Sequence, residues 1–133
     1  MPDVNYLAVL LAALSSFMIG GLWYSPLLFQ KSWMAANGQS EERLRSGNPA
    51  IVFGGAFLLN LVAAFVLALW LKERAADIQD AASAGFAVGL GLVATSIGVI
   101  YLFERRPLAL WLINGGYAAV LFTAMGAIIG AMG

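Results

Sequence analysis

Six uncharged polar side chains stand inside stretches of the sequence that are otherwise apolar. Hydroxyl and amide groups of this kind can hold water or an uncharged solute through hydrogen bonds. Counted inward from the ends of these stretches at Ser25, Ala50, Phe103 and Pro107, each side chain lies seven to ten residues deep. If the stretches are helices that rise about 1.5 Å per residue, all six lie roughly 10–15 Å from the same surface. They are Ser15, Ser16, Asn60, Thr95, Ser96 and Asn114.

This common depth predicts a shared polar chamber that opens toward the first and third connections of the chain. Asn60, Asn114 and at least one of the four hydroxyl groups would face its interior, and Tyr24 and Tyr117 would bound it. The alternative interpretation is a set of hydrogen bonds between helices, because polar groups in hydrocarbon must find partners. Ser and Thr hydroxyls can also bond back to carbonyls of their own helix. Only the first interpretation provides a site for water or a small uncharged solute.

The distribution of charge indicates which elements carry these side chains. Of 133 residues, 62% are hydrophobic and only 11% are charged, whereas an ordinary soluble domain is about 25% charged. The charged residues leave four charge-free stretches, and each is long enough for the roughly 20 apolar residues that cross a bilayer. The stretches are 4–30, 46–71, 81–103 and 107–133. The chain is therefore predicted to be an integral membrane protein.

The predicted fold class is an all-α membrane protein with four transmembrane helices in an up-down-up-down bundle, since helices joined by short connections pack in this way. Residues 1–133 form one domain in this prediction. The segment before the first span has no basic residue, so we expect the span to be retained and not cleaved as a signal peptide. The predicted spans are about 4–24, 50–71, 82–103 and 108–132.

The end of the first span carries the run Trp23, Tyr24, Ser25 and Pro26. Proline lacks an amide donor and disfavours helical conformation in the residue before it. We therefore predict that the first helix is kinked or ends near Pro26. In one interpretation the two aromatic rings only anchor the helix end at the membrane–water interface. In the other, the kink opens a vestibule with Tyr24 at its lip.

Basic residues in the connections predict the orientation, because positively charged loops stay in the cytoplasm. The first connection is expected to form an interfacial segment over 27–34 and a polar helix over 40–46. Together with the third connection it carries five basic residues, against two on the other side. Both termini are therefore predicted to lie outside a bacterial cytoplasmic membrane. The five residues are Lys31, Arg43, Arg45, Arg105 and Arg106, and the two are Lys72 and Arg74.

Glu104, Arg105 and Arg106 form the tightest cluster of charges at a predicted membrane boundary. A carboxylate beside two guanidinium groups stays ionised, which suits an ion-paired cluster better than a general acid. We predict that Arg105 and Arg106 contact lipid headgroups, as basic residues at a membrane surface do.

Composition excludes most kinds of chemistry. The chain has no Cys and no His, so it lacks thiolates, the commonest metal ligand and the usual general base near neutral pH. Its balanced charge provides no field to attract nucleic acid. Gly85, Gly89 and Gly91 lie within an apolar helix and fail the context test for a nucleotide-binding loop. We expect no catalytic, cofactor-binding or metal site, no enzyme activity and no nucleic-acid partner, with membrane lipid as the partner.

Small residues on the third and fourth spans predict close helix packing, because lipid gives helices no hydrophobic reason to associate. Gly85 and Gly89 share one face of the third span, and Gly126 and Gly130 share one face of the fourth. A second small face on the fourth span indicates either an unusually tight bundle or a partner chain. We predict a homo-oligomer, most simply a dimer, through the small faces of these two spans. The second face comprises Gly115, Ala119, Thr123, Ala127 and Ala131.

Two sequence elements resemble a known family. Leu-Trp-Tyr-Ser-Pro-Leu-Leu-Phe at 22–29 closes the first span, and Glu-Arg-Arg-Pro at 104–107 with Trp-Leu-Ile-Asn-Gly-Gly-Tyr at 111–117 opens the fourth. Together with the four-span layout, they resemble the small bacterial membrane family catalogued as domain of unknown function 1761. The resemblance covers essentially the whole chain. It implies a four-helix membrane protein with no assigned activity.

Two functions fit these features. The first is a structural or accessory protein that acts through helix–helix or lipid contacts, which requires only the small faces and the aromatic residues. The alternative is an uncoupled channel or transporter for a small polar solute that uses the polar layer between the helices. Proton-coupled export relies on a carboxylate within the membrane, and every Asp and Glu lies outside the predicted spans.

Overall fold

The computed structural model describes residues 4–38, 47–72, 74–75 and 77–132, and its regular secondary structure there is helical throughout. The predicted polar helix over 40–46, with Arg43 and Arg45, lies outside the described residues. Of the helices described, four are long and apolar enough to cross a membrane, which confirms the predicted all-α, four-span fold class. These four are α1 (Tyr6–Trp23), α3 (Pro49–Leu71), α4 (Ile78–Glu104) and α5 (Leu108–Met132), and the shorter α2 (Gln30–Asn37) follows α1.

Local sequence sets both ends of α1. Its first turn is capped by the Asn5 side chain, whose Oδ1 accepts hydrogen bonds from the amides of Leu7 and Ala8 at 3.1 and 3.2 Å. The helix ends at Trp23, because Tyr24 leaves the helical conformation with φ −95° and ψ 15°. A turn over 26–29 then leads into α2. The prediction that the first helix ends near Pro26 is therefore confirmed.

The third span begins earlier than the sequence predicts. The Asp77 carboxylate accepts a 2.8 Å hydrogen bond from the Asp80 amide and caps the helix, so α4 starts at Ile78 and not near residue 82. At the other end, Arg105 takes a left-handed conformation with φ 56°, and the Arg106 amide donates to the Tyr101 carbonyl at 2.9 Å. This closure ends α4 before Pro107, since the carbonyls of a last helical turn need such partners.

A π-helical segment over Gly89–Ala94 interrupts α4. Each π-type hydrogen bond spans one residue more than an α-type bond, so the segment changes the angular register of the residues that follow. Such segments occur frequently at functional sites. The apolar sequence of this span does not reveal the π-helical segment. The segment changes the direction in which the side chains that follow it point.

The ends of the spans near the two termini pack tightly, and this half of the bundle is called the terminal half. A Cβ added at Gly85 of α4 would overlap the carbonyl oxygen of Phe122, and one added at Gly126 of α5 would overlap that of Ala81. The two backbones can approach this closely only because both positions are Gly. Alanines of α1 and α3 fill the rest of this half with Leu71 and Met125. The main cluster of buried residues therefore lies in the terminal half.

The small faces of α4 and α5 contact each other inside one chain. A Cβ at Gly89 would lie 2.6 Å from the Ala118 carbonyl oxygen, and one at Gly130 would lie 2.6 Å from Ala81 Cβ. A Cβ added at Gly115 would lie 3.4 Å from the Ala94 Cβ of α4. These glycines therefore pack within one chain. Thr123 and Ala127 of the second face are only partly buried and Ala131 is exposed, and the homodimer through the small faces stays a prediction.

Candidate functional site

The half of the bundle near the connections that end α1 and α4, here called the loop half, contains a cleft of about 950 Å³. Helix α3 packs mainly on α1, α1 packs on α5, and α5 packs on α4, whereas α3 has fewer contacts with α4 and α5. The walls of the cleft are the first half of α3 and the second half of α4. The α3 wall consists of Val52, Phe53, Ala56 and Asn60, the α4 wall of Val93, Ile97 and Tyr101, and residues of α1, α2 and α5 complete the lining.

Tyr24, Asn114 and Tyr101 form a hydrogen-bonded chain beside the α4 wall. The Tyr24 hydroxyl donates to Asn114 Oδ1 at 2.5 Å, and Asn114 Nδ2 donates to the Tyr101 hydroxyl oxygen at 2.7 Å. The three residues come from the end of α1, from α5 and from α4. The two phenols therefore hold the Asn114 amide between α1 and α4.

A second hydrogen-bonded group, centred on Ser16, lies beside the α3 wall. The Ser16 hydroxyl donates to the Ala13 carbonyl of its own helix at 2.7 Å, and Asn60 Nδ2 donates to the Ser16 hydroxyl oxygen at 3.0 Å. The Tyr117 hydroxyl donates to the Ser16 carbonyl oxygen at 3.2 Å. Helices α1, α3 and α5 are therefore joined by polar contacts at one depth.

The corner between α1 and α2 is attached to α5 by aromatic side chains. The Trp23 indole donates a 2.8 Å hydrogen bond to the Ile113 carbonyl, and the ring centroids of Tyr24 and Tyr117 lie 5.5 Å apart. Trp33 of α2 packs edge-on against Tyr24 at 5.8 Å and lines the cleft. The rings of Trp23 and Tyr24 thus bind another helix, whereas a purely interfacial anchor would face lipid.

Ser25 and Pro26 shape this corner without lining the cleft. The Ser25 hydroxyl donates to the Leu22 carbonyl at 2.7 Å, and Pro26 is exposed in the turn that follows α1. Of the residues predicted for the vestibule, Tyr24 is the one that lines the cleft.

Half of the polar layer predicted from the sequence faces the cleft. Ser16, Asn60 and Asn114 line it, as does Tyr117. Ser15, Thr95 and Ser96 do not line it and instead bond back to their own helices. The Ser15 hydroxyl donates to the Ala12 carbonyl at 2.6 Å, and the Ser96 hydroxyl to the Leu92 carbonyl at 2.6 Å.

The π-helical segment explains why Thr95 and Ser96 fail to join the layer. Both are exposed, and Thr95 Oγ1 contacts the carbonyl oxygens of Gly91 and Leu92 at 2.8 and 3.1 Å. Val93 within the segment, and Ile97 and Tyr101 after it, line the cleft at intervals of four residues. The predicted depth of the two hydroxyls rests on counting residues, which does not determine the direction in which a side chain points.

Three of the lining residues that carry a polar group were not anticipated from the sequence, namely Gln30, Trp33 and Tyr101. Tyr101 lies two residues inside the boundary chosen at Phe103, where an aromatic side chain is normally interpreted as part of an interfacial belt. The spacing of Val93, Ile97 and Tyr101 would have indicated a common face.

Arg105 and Arg106 lie at the loop end of α4, outside the cleft. Both are exposed, and Arg106 Nε forms a 3.1 Å ion pair with Glu104 Oε1. Exposed basic side chains at the end of a transmembrane helix can reach lipid phosphates. Their contact with headgroups remains a prediction.

The lining of the cleft is apolar apart from uncharged polar groups. Among the residues that the structure describes, those that line it include no Asp, Glu, Lys or Arg. Such a surface offers hydrogen bonds and apolar contact but no fixed charge to balance an ion. The arrangement is therefore suited to an uncharged or largely apolar ligand.

Comparisons with known proteins identify a family for this chain. No curated protein and no solved structure matches the chain. The model of one family, described as protein of unknown function DUF1761, matches residues 7–130. This match covers nearly the full chain, and the resemblance found in the sequence is confirmed. The chain belongs to the DUF1761 family.

Proposed function

We propose that this protein is an accessory membrane protein that acts through lipid contacts and holds the apolar chain of a lipid in its cleft. The observation that supports this function is the cleft of about 950 Å³ within the span region, whose walls are mainly apolar. The four spans would place it in the hydrocarbon of one leaflet. Acyl chains are the solvent at that depth, so they are the natural occupants of an apolar cleft.

The packing of the bundle supports a cleft that opens between α3 and α4. The close contacts of α4 with α5 at Gly85 and Gly126 fill the terminal half. In the loop half, α3 and α4 both line the cleft, and these two helices have few contacts with each other. A lipid would enter sideways between α3 and α4.

Blocking the cleft tests the proposal. Gly21 lines the cleft, and a Cβ added there meets no atom within 4 Å, so Gly21→Leu fills space without a clash. Gly54 of α3 is equally unobstructed but does not line the cleft, and Gly54→Leu is the matched control. Native mass spectrometry after purification in mild detergent should show retained lipid for the wild type and for Gly54→Leu. The Gly21→Leu variant should retain several-fold less. Equal retention by all three proteins would contradict the proposal.

Uncoupled passage of a small polar solute is the second candidate, because Ser16, Asn60 and Asn114 present polar groups at one depth. In a single chain, passage would require α4 and α5 to separate in the terminal half. Solute flux into proteoliposomes that depends on the protein and is abolished by Asn60→Leu would favour this function. Flux equal to that of empty liposomes, with lipid retained in the cleft, would favour the accessory function.

A further inference from the structure

The hydroxyl group of Tyr101 has an unused hydrogen-bond donor. It accepts from Asn114 Nδ2 at 2.7 Å, and Asn114 Oδ1 is already engaged by Tyr24. Among the residues that the structure describes, none accepts the Tyr101 hydroxyl hydrogen. Since Tyr101 lines the cleft, its α4 wall offers a hydrogen-bond donor.

The side-chain amide of Asn60, on the α3 wall, has an unused hydrogen-bond acceptor. The Ser16 hydroxyl donates to Ala13, so toward Asn60 it can only accept, and this assigns Nδ2 to the Ser16 contact. Asn60 Oδ1 then points away from Ser16 and accepts no hydrogen bond within the described part of the chain. No buried side-chain nitrogen or oxygen among these residues lacks a partner. Asn60 Oδ1 is therefore accessible, and the α3 wall offers an acceptor.

A donor and an acceptor on two helices that line the same apolar cleft define the chemistry of a ligand. In hydrocarbon each unpaired group costs free energy, because no water is present to bond it. A ligand that pairs with both needs an acceptor for Tyr101, such as an ester carbonyl, and a donor for Asn60, such as a hydroxyl. A charged headgroup finds no counter-charge among the described residues that line the cleft.

Building on the proposed function, we infer that the cleft selects an uncharged glyceride with a free hydroxyl, such as a diacylglycerol, over the charged phospholipids around it. The ester carbonyl accepts from Tyr101, and the glycerol hydroxyl donates to Asn60. The acyl chains occupy the apolar part of the cleft beside Phe53 and Ile97.

The first test compares two ligands that differ in one group. Delipidated protein in nanodiscs of phosphatidylcholine is given either diacylglycerol or its 3-O-acetyl derivative, which keeps the chains and esters but lacks the hydroxyl. Bound ligand is measured by native mass spectrometry. We expect diacylglycerol to be retained about fivefold better, the difference for one net hydrogen bond.

Two substitutions remove the proposed partners. Tyr101→Phe and Asn60→Leu should each lower the retention of diacylglycerol about fivefold. Asn60→Leu should also abolish the preference over the acetyl derivative. The matched controls are Tyr6→Phe, whose exposed ring lies at the far end of α1, and Thr95→Val on the outer face of α4. Both controls should bind as the wild type does.

The outcomes separate this inference from the proposed function. Equal retention of both ligands, together with loss of both in Gly21→Leu, overturns the hydroxyl selection and leaves the lipid cleft in place. Retention of neither ligand by the wild type overturns both. Preference for phosphatidic acid, which replaces the hydroxyl with a charged phosphate, likewise overturns the selection of an uncharged head.

Discussion

The Trp111 indole donates a 2.8 Å hydrogen bond to the carbonyl of Ala94, the last residue of the π-helical segment. The close approach depends on Gly98, because a Cβ there would lie 2.8 Å from Trp111 Nε1. This contact joins the second half of α4 to α5 at the residue where the angular register of α4 changes. The direction of Tyr101, seven residues further along, depends on it.

Loss of the Trp111 donor should destabilise the protein. We expect Trp111→Phe to lower the free energy of unfolding by about 1–2 kcal/mol, since it removes an interhelical hydrogen bond and part of a packed ring. Trp70→Phe is the control, because Trp70 is exposed and its ring is covered by the Arg74 guanidinium at 5.3 Å. Unfolding in mixed micelles, followed by helical circular dichroism, measures both. Equal stability of the two variants would show that the Trp111 contact contributes little.

Removal of one residue from the π-helical segment should turn Tyr101 out of the cleft. Deletion of the exposed Leu92 allows an α-helical register, and one residue corresponds to a rotation of about 100°. The chain has no Cys, so a Tyr101→Cys, Asn114→Cys pair can report this proximity through a bifunctional thiol cross-linker about as long as the replaced Tyr side chain. The pair should cross-link in the full-length chain and fail to do so after the deletion.

A second cysteine pair shows whether the deletion variant still folds. Ser16→Cys and Asn60→Cys join α1 to α3 and do not involve α4. This pair should cross-link with or without Leu92. If Tyr101→Cys still pairs with Asn114→Cys after the deletion, the π-helical segment does not determine the direction of Tyr101.

Much of the fold is visible in the sequence, because the bilayer imposes simple rules. A charge-free stretch of sufficient length predicts a span, and Pro26 predicts the end of the first helix. The start of α4 at Ile78 does not follow from the sequence analysis, because the charged residues of 72–81 are typical of a polar connection. The role of Asp77 as a helix cap is not visible in that pattern. The depth of Asn60 and Asn114 follows from counting, since both lie on regular helices. The directions of Thr95 and Ser96 do not follow, because they come after the π-helical segment.

The close approach of α4 and α5 predicts a large cost for a single methyl group. Gly85→Ala and Gly126→Ala should each destabilise the protein by about 1–3 kcal/mol, since the new Cβ would overlap a backbone oxygen of the neighbouring helix. Gly54→Ala adds the same methyl group where nothing lies within 4 Å. It should leave stability unchanged or raise it slightly, because Ala favours helix over Gly. Unfolding in mixed micelles compares the three, and a Gly85→Ala variant as stable as Gly54→Ala would contradict the packing.

The predicted orientation can be tested with single cysteines. Gln79 lies exposed in the first turn of α4, and Gly47 is exposed just before α3, at the opposite end of the spans. If both termini lie outside, a membrane-impermeant thiol reagent should label Gln79→Cys in intact cells and leave Gly47→Cys unlabelled until the membrane is opened. The reverse pattern would place the cleft in the outer leaflet.

The location of a lipid chain inside the protein is the most direct test of the proposed function. A diacylglycerol with a photoreactive diazirine near the middle of one acyl chain, incorporated in nanodiscs, can be cross-linked to the protein and mapped by peptide mass spectrometry. We expect labels on cleft residues such as Phe53, Ala56 and Ile97, and their loss in Gly21→Leu. Labels confined to outward-facing residues such as Leu59, Val62 and Leu102, unchanged in Gly21→Leu, would contradict it.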